Sequence, residues 1–343
     1  MKKIVMCLFV VLLLVGCGKK DDFKITKTEA ASLEYETYNN GIFSMDLPKG
    51  WQVSYGGNGM LFAIHAFRPE TDTSPKYHVF ALLKAEPLHS VAFKQFEVNN
   101  FGGFPIYDVI TKAPAIEEAT AKGFYSIFNE YSNYARTYEP SYVIDGYEFV
   151  WPSINNFDVI ESYPLNSAMA SVAYDDSLLR ATYTDVYDGS LQQGLFSGSI
   201  TNNPLGNESY SCYNAYFISS PNENFNEYEP ALLKILNSIK YSDVFVNNTL
   251  QAIDQQTKNA LAIGESLQAM CESCNRAWEE RNNTYDIISE KQSDATLGYE
   301  RVYDTETGDV YKARNGFSDK LQGDRLKPIS DDMYTLPIEG YIE

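Results

Sequence analysis

Gly41-Ile42-Phe43-Ser44-Met45-Asp46-Leu47-Pro48-Lys49-Gly50-Trp51-Gln52-Val53 alternates apolar and polar side chains, meets a proline, turns and resumes on a tryptophan. Successive side chains of a strand point to opposite faces, so residues 42–46 read as a half-buried strand. Pro48 to Gly50 then reads as a turn, and Trp51 opens the next strand.

Outward from this stretch, residues 60–67 and 77–85 read as longer apolar strands. Residues 90–99 and 116–134 have helical spacing. Further strands are expected at 142–150, 157–163, 169–174, 178–186, 195–201 and 213–219. A helix over 227–238 turns Leu232, Leu233, Ile235 and Leu236 inward, and a short strand follows at 239–241. Strands broken by a few helices, without regular alternation, predict an α+β fold with a mostly antiparallel sheet and flanking helices.

The entry from Ile42 to Trp51 resembles the opening hairpin of PsbP-like domains. The run Glu229-Pro230-Ala231-Leu232-Leu233-Lys234-Ile235-Leu236-Asn237-Ser238-Ile239 resembles that family's last helix and strand. The resemblance implies an αβα sandwich of a kind found in many bacterial lipoproteins. It covers the two ends of a segment of about 200 residues, whose middle is longer than the family's usual domain. Its motifs are structural, so it implies a fold and no catalytic residues.

Beyond that segment, Leu250, Ile253, Thr257, Ala260, Gly264, Leu267, Cys271, Cys274, Trp278, Arg281, Tyr285 and Ile288 recur at steps of three and four. They form one stripe of a long helix or of two helices end to end, with small residues that permit close approach. Such a stripe packs on its own body or on a protein partner. Gly298 to Tyr303 and Asp309 to Ala313 flank the Gly-containing turn from Asp304 to Gly308 and read as a hairpin.

At the N-terminus, Lys2 and Lys3 precede an apolar run from Ile4 to Val15. A charged start and a short apolar core make a secretory signal. The run is too short for the roughly 20 residues of a membrane-spanning helix. Leu14-Val15-Gly16-Cys17 resembles the bacterial lipobox, which implies cleavage before Cys17, acylation of its thiol and a lipid anchor on the extracytoplasmic face of the cell membrane. The expected organisation is a signal peptide over 1–16, a solvated tether over 17–40, the PsbP-like domain over 41–243 and a helical and hairpin extension over 244–343.

The chain of 343 residues carries a net charge of −19, and residues 1–16 hold two lysines and no acid. That balance argues against nucleic acid and against electrostatic adhesion to anionic lipid, leaving the acyl chains to hold the membrane. Aromatic residues make up 14% of the chain, with 26 tyrosines, enough apolar surface to exclude disorder of the body. They could also line a sugar- or peptide-binding cleft.

Candidate chemistry is sparse. Cys7 falls in the signal and Cys17 is the lipidation site, which leaves Cys212, Cys271 and Cys274. An odd set is not a disulfide framework. Cys271 and Cys274 can oxidise to a disulfide, but a reactive thiolate belongs at a helix N-terminus, whereas this pair falls mid-helix. A second pair for zinc and the histidine of a haem attachment are missing, so no cofactor is expected. His65 and His78 lie on neighbouring strands and could face one another, as a metal pair or, more simply, as a polar pair on the sheet surface. Asp304 to Asp309 suggests a calcium loop but lacks the EF-hand glycine and glutamate, and a charged turn accounts for it. The acid pairs Glu117–Glu118, Asp175–Asp176 and Asp331–Asp332 are adjacent in sequence and read as solvated surface. No catalytic residue is assigned. The sequence favours a non-enzymatic binding or assembly protein over an exported hydrolase with carboxylate chemistry.

Overall fold

The computed structural model describes residues 25–27, 31–70, 74–138, 143–144, 147–203, 208–252, 294, 299–321, 323–330, 333–334 and 336–342. They fall in two compact units, one over Ala30–Thr284 and one made of Tyr285–Glu343 with Met1–Glu29. The fold is α+β with mostly antiparallel sheets.

In chain order the strands are β1 (Ile25–Lys27), β2 (Tyr35–Asn39), β3 (Phe43–Pro48), β4 (Gln52–Gly56), β5 (Ala63–Phe67), β6 (His78–Ser90), β7 (Ala115–Ile116), β8 (Val143–Ile144), β9 (Tyr147–Glu148), β10 (Asn155–Pro164), β11 (Asp175–Thr184), β12 (Leu191–Asn202), β13 (Ser209–Pro221), β14 (Lys240–Tyr241), β15 (Tyr299–Asp304), β16 (Val310–Arg314), β17 (Leu326–Pro328) and β18 (Ile338–Ile342). The helices are α1 (Val91–Phe101), α2 (Asp108–Thr111), α3 (Ala121–Ser126), α4 (Phe128–Thr137), α5 (Phe225–Asn237) and α6 (Asp243–Ala252).

The larger unit is built on a sheet ordered β10-β11-β12-β13-β6-β5-β4, antiparallel throughout, with β7 added parallel to β6. Both faces are covered, which is why β6, β12 and β13 are buried along most of their length. On one face Val79, Ala81, Leu195 and Ile218 meet Leu232, Ile235 and Leu236 of α5 and Phe43 and Met45 of β3. On the other, Phe80, Phe196 and Phe217 meet Phe124, Phe128 and Tyr131 of α3 and α4. Tyr125 fixes this second layer by donating its hydroxyl to the Ser197 carbonyl at 2.8 Å and the Tyr216 carbonyl at 3.1 Å.

Several expectations need correction. β3 alternates as read, with Phe43, Met45 and Leu47 buried, but β3 and β4 form no hairpin. The edges of β3 are taken by β2 and β14, so the turn at Pro48 to Gly50 hands the chain from a three-stranded sheet to the large one. Gly50 sits at φ +83°, which glycine adopts at no steric cost. Residues 169–174 make turns instead of a strand, and the helix read over 116–134 begins as β7 and breaks at Ile127 between α3 and α4. The tether expected over 17–40 contains β1 and β2. α6, placed by sequence in the extension, packs Phe245, Val246 and Leu250 on the main core, where the Phe245 ring lies 4.9 Å from that of Phe62.

The smaller unit is a sheet ordered β1-β18-β16-β15-β17. β15 and β16 pair antiparallel, with Tyr303 opposite Val310, while β16 and β18 run parallel. Val302, Tyr311, Ala313, Leu326 and Ile342 fill its core. Asp294 is buried, with Arg301 Nε at 2.6 Å and Lys312 Nζ at 2.8 Å.

Candidate functional site

Strands β6 and β12 end, and β11 and β13 begin, at the same end of the large sheet. The chain there leaves β6 into a helical excursion over residues 91–114 before returning as β7. Ser90 caps α1 by accepting the Phe93 N–H at 3.1 Å. The Phe101 turn of α1 gives way to Gly102 and Gly103, and a 3₁₀ turn over Pro105–Tyr107 leads into α2. The base of the excursion is tied down. His89 Nε2 donates to the Ile110 carbonyl at 3.1 Å, Tyr134 Oη to the Val109 carbonyl at 2.8 Å, and Lys94 Nζ to the Ala113 carbonyl.

The outward side of this excursion is apolar. Phe96 is 54% exposed, Phe104 58% and Ile106 83%, with Val91, Val98 and Val109 beside them in sequence. The one residue of α1 that is buried is Glu97. A helix that buries a glutamate and exposes phenylalanine and valine inverts the usual partition of side chains. At the same end of the sheet, the loop entering β11 exposes Val172 and Tyr174, the latter 61% exposed and edge-on to Tyr210. These residues make an apolar rim at this end of the sheet, and exposed apolar surface of this kind marks an interaction site.

At the same end, on the α5 face of the sheet, lies a row of polar groups in which Lys84, Asn203, Ser211, Ser167 and Ser199 are buried and the acids Glu86 and Asp176 half-buried. Glu86 Oε2 accepts from Lys84 Nζ at 2.7 Å, Asn203 Nδ2 at 2.6 Å and Ser211 Oγ at 3.0 Å. Burial alone would lower the pKa of Lys84, but Tyr213 and Glu86 hold its ammonium above the ordinary lysine range. One step along the row, Asp176 accepts from Ser199 Oγ at 2.6 Å, Ser167 Oγ at 2.6 Å and the Ser167 N–H at 2.8 Å. Each carboxylate is spent on three donors. These serines donate to an acid and the three histidines hydrogen-bond elsewhere, so the row has the chemistry of a brace and lacks the nucleophile–base pairing of a hydrolase.

The residues singled out by sequence fare differently. Cys17 with Leu14, Val15 and Gly16, the pair Cys271 and Cys274, Asp331–Asp332, and the stripe from Ile253 to Ile288 lie outside the described residues. Leu250, the first stripe position, packs against its own body. Cys212 is fully buried, and desolvation pushes its thiol far above the ordinary range, which leaves it inert. His65 and His78 do pair, but in the interior, not on a sheet surface. Their hydrogen bond is 3.0 Å, and both rings are buried beside Phe80 and Val150.

Asp175 and Asp176 are not solvated neighbours either. Strand alternation sends Asp175 to the α3 face, where Oδ2 accepts the Ala121 N–H at 2.6 Å, and Asp176 to the opposite face. Glu117 and Glu118 are exposed. Asp304 is held below the usual carboxylate range by the Arg325 guanidinium, with Nη2 2.8 Å from Oδ2. Asp188 is likewise held down by Lys76. Both displaced carboxyls are stabilised as anions, the wrong direction for a general acid.

Among the described residues no three His, Cys, Asp or Glu side chains group as a metal site, and no helix is long and apolar enough to cross a membrane. The sequence reading missed the rim because residues 90–99 were read only as helical. Their signal was available in apolar residues on opposite sides of the helix, Val91, Val98 and Phe101 on one and Phe93 and Phe96 on the other, which a single core cannot cover. No protein-family model and no curated protein matches the chain.

Proposed function

We propose that this chain is an exported lipoprotein, acylated at Cys17 and held on the extracytoplasmic face of the cell membrane. Its PsbP-like α+β body acts there as a binding or assembly module and performs no catalysis. The observation that carries this reading is the apolar rim, since it is exposed, rigidly based and set at the same end of the sheet as polar groups that are already consumed by one another. The lipobox supplies the anchor. The small-residue stripe through Cys271 and Cys274 supplies a second candidate surface for a protein partner.

The test begins with anchoring. Cells fed a clickable fatty acid should label the wild-type chain and leave Cys17→Ala unlabelled and released from the membrane fraction. Lipid label and membrane retention in Cys17→Ala would sink the lipoprotein reading. Binding is tested by purifying the tagged chain from detergent-solubilised membranes. A rim variant, Phe96→Ser with Phe104→Ser, should lose the proteins or lipids that the wild type carries through, and full retention of them would refute the docking role.

A further inference from the structure

We propose that the occupant of the apolar rim is the bilayer itself: the rim seats in the headgroup–acyl boundary of the membrane that bears the anchor. This rests on the lipoprotein reading for the proximity of a membrane, and goes beyond it in giving the protein surface a lipid contact of its own. The first argument is charge. The chain carries −19 overall, yet residues 91–112 hold two lysines, Lys94 and Lys112, against Glu97 and Asp108. An acidic protein is repelled by anionic lipid, so it can lie on a bilayer only through a face without net charge. Residues 91–112, which carry no net charge, supply that face, with exposed Glu208 held against Ser90 at its base.

The second argument is side-chain type. The most exposed positions of the rim are Ile106, Tyr174, Phe104, Val91 and Phe96. Such residues partition into the interface when carried on a fixed scaffold. Of the tryptophan, tyrosine and arginine that dominate the hot spots of protein–protein contacts, residues 91–112 hold one tyrosine, Tyr107.

The third argument is proximity: a lipid at Cys17 would keep the chain beside a bilayer, where an exposed apolar face has a lipid boundary within reach. Lipid insertion by the rim adds to whatever the acyl chains contribute.

The experiment uses the full mature chain with Cys17→Ser, so that no lipid is attached. It is floated with vesicles of phosphatidylcholine and, separately, of phosphatidylcholine with phosphatidylglycerol. The expected result is flotation with both, and a loss of tenfold or more for Phe104→Ser with Ile106→Ser while the melting temperature is unchanged. A second variant, Ile106→Trp, should gain blue-shifted emission quenched by brominated lipid. No flotation of the unlipidated chain, or flotation indifferent to the double substitution, overturns the proposal. So does a dimer of the unlipidated chain that the same substitutions dissociate, which would make a second copy the occupant. Fatty-acid labelling at Cys17 is untouched by any of these outcomes, so failure here and failure of the lipoprotein reading are distinguishable.

Discussion

His65 Nε2 and His78 Nδ1 lie 3.0 Å apart inside the larger unit, and His65 Nδ1 donates to the Val150 carbonyl at 2.7 Å. The carbonyl requires a proton on His65 Nδ1, so His65 Nε2 accepts and His78 Nδ1 donates. Both rings are neutral in this arrangement. Burial, aided for His65 by the neighbouring ring, holds its pKa well below the ordinary value; burial brings His78 down to about 3.

The sign of the consequence follows from proton counting. Between pH 3 and about 6.5 the unfolded chain binds a proton at His78 and the folded chain does not, so acidification favours unfolding. Stability from this group is complete above about pH 6.5 and falls by about 1.4 kcal/mol per pH unit below it. Denaturant unfolding of the larger unit measured from pH 7 to pH 4 should be steeper in the wild type than in a His65→Leu, His78→Leu variant. Equal slopes would mean that the pair is not buried and neutral.

Glycine 194 is required for room. A Cβ built there meets the Ile218 carbonyl oxygen at 2.4 Å and Ser219 Cβ at 2.9 Å, across the β12–β13 pairing. Backbone cannot step aside as a flexible side chain can, so Gly194→Ala should cost about 2–3 kcal/mol through strain in the sheet. At Gly198 the nearest atoms are Ala121 Cβ at 3.0 Å and Cys212 Sγ at 3.3 Å, and Gly198→Ala should cost less. Reversal of that order in chemical denaturation would show that β12 and β13 are not paired in this register.

The Lys84–Glu86 pair gives an asymmetric expectation. Glu86→Ala strips a buried ammonium of its carboxylate and costs Asn203 and Ser211 one acceptor, for a loss of about 2–3 kcal/mol after allowing for the partial exposure of Glu86. Lys84→Met with Glu86→Leu removes both charges and fills similar volume, so the double variant should unfold within about 1 kcal/mol of the wild type. A double variant worse than Glu86→Ala would give the row a role other than bracing.

Much of this fold was legible because burial on one face writes itself as alternation. Phe43, Met45 and Leu47 are buried and Ser44 and Asp46 are less so, and the strand reads plainly. What alternation does not encode is which strand lies alongside. Nothing in residues 41–53 distinguishes a hairpin from a hand-over between sheets, since that depends on β14 arriving from about 190 residues downstream. The rim escaped notice for a related reason. Exposed apolar residues look like core until the strands that would cover them are shown to be elsewhere. His65 and His78 lie on adjacent strands as read, but His65 is closed over by the Val150 carbonyl, carried in by a segment whose strands are short and broken.

The pairing of β1 with β18 joins the two ends of the described chain, Ile25 opposite Ile342 and Lys27 opposite Gly340. β18 has β16 on its other side, so β1 converts it from an edge to an interior strand. Deleting residues 18–30 from the unlipidated chain should therefore lower the stability of the smaller unit by about 1–3 kcal/mol, the net worth of a few backbone hydrogen bonds. Amides of residues 340–342 should lose hydrogen-exchange protection, while those of β12 and β13 keep theirs. Unchanged protection at 340–342 would remove β1 from the sheet. If the pairing holds, the eight residue steps from Cys17 to Ile25 keep β1 within about 30 Å of the cysteine proposed to carry the lipid. The smaller unit would then be the part held nearest a membrane by that lipid.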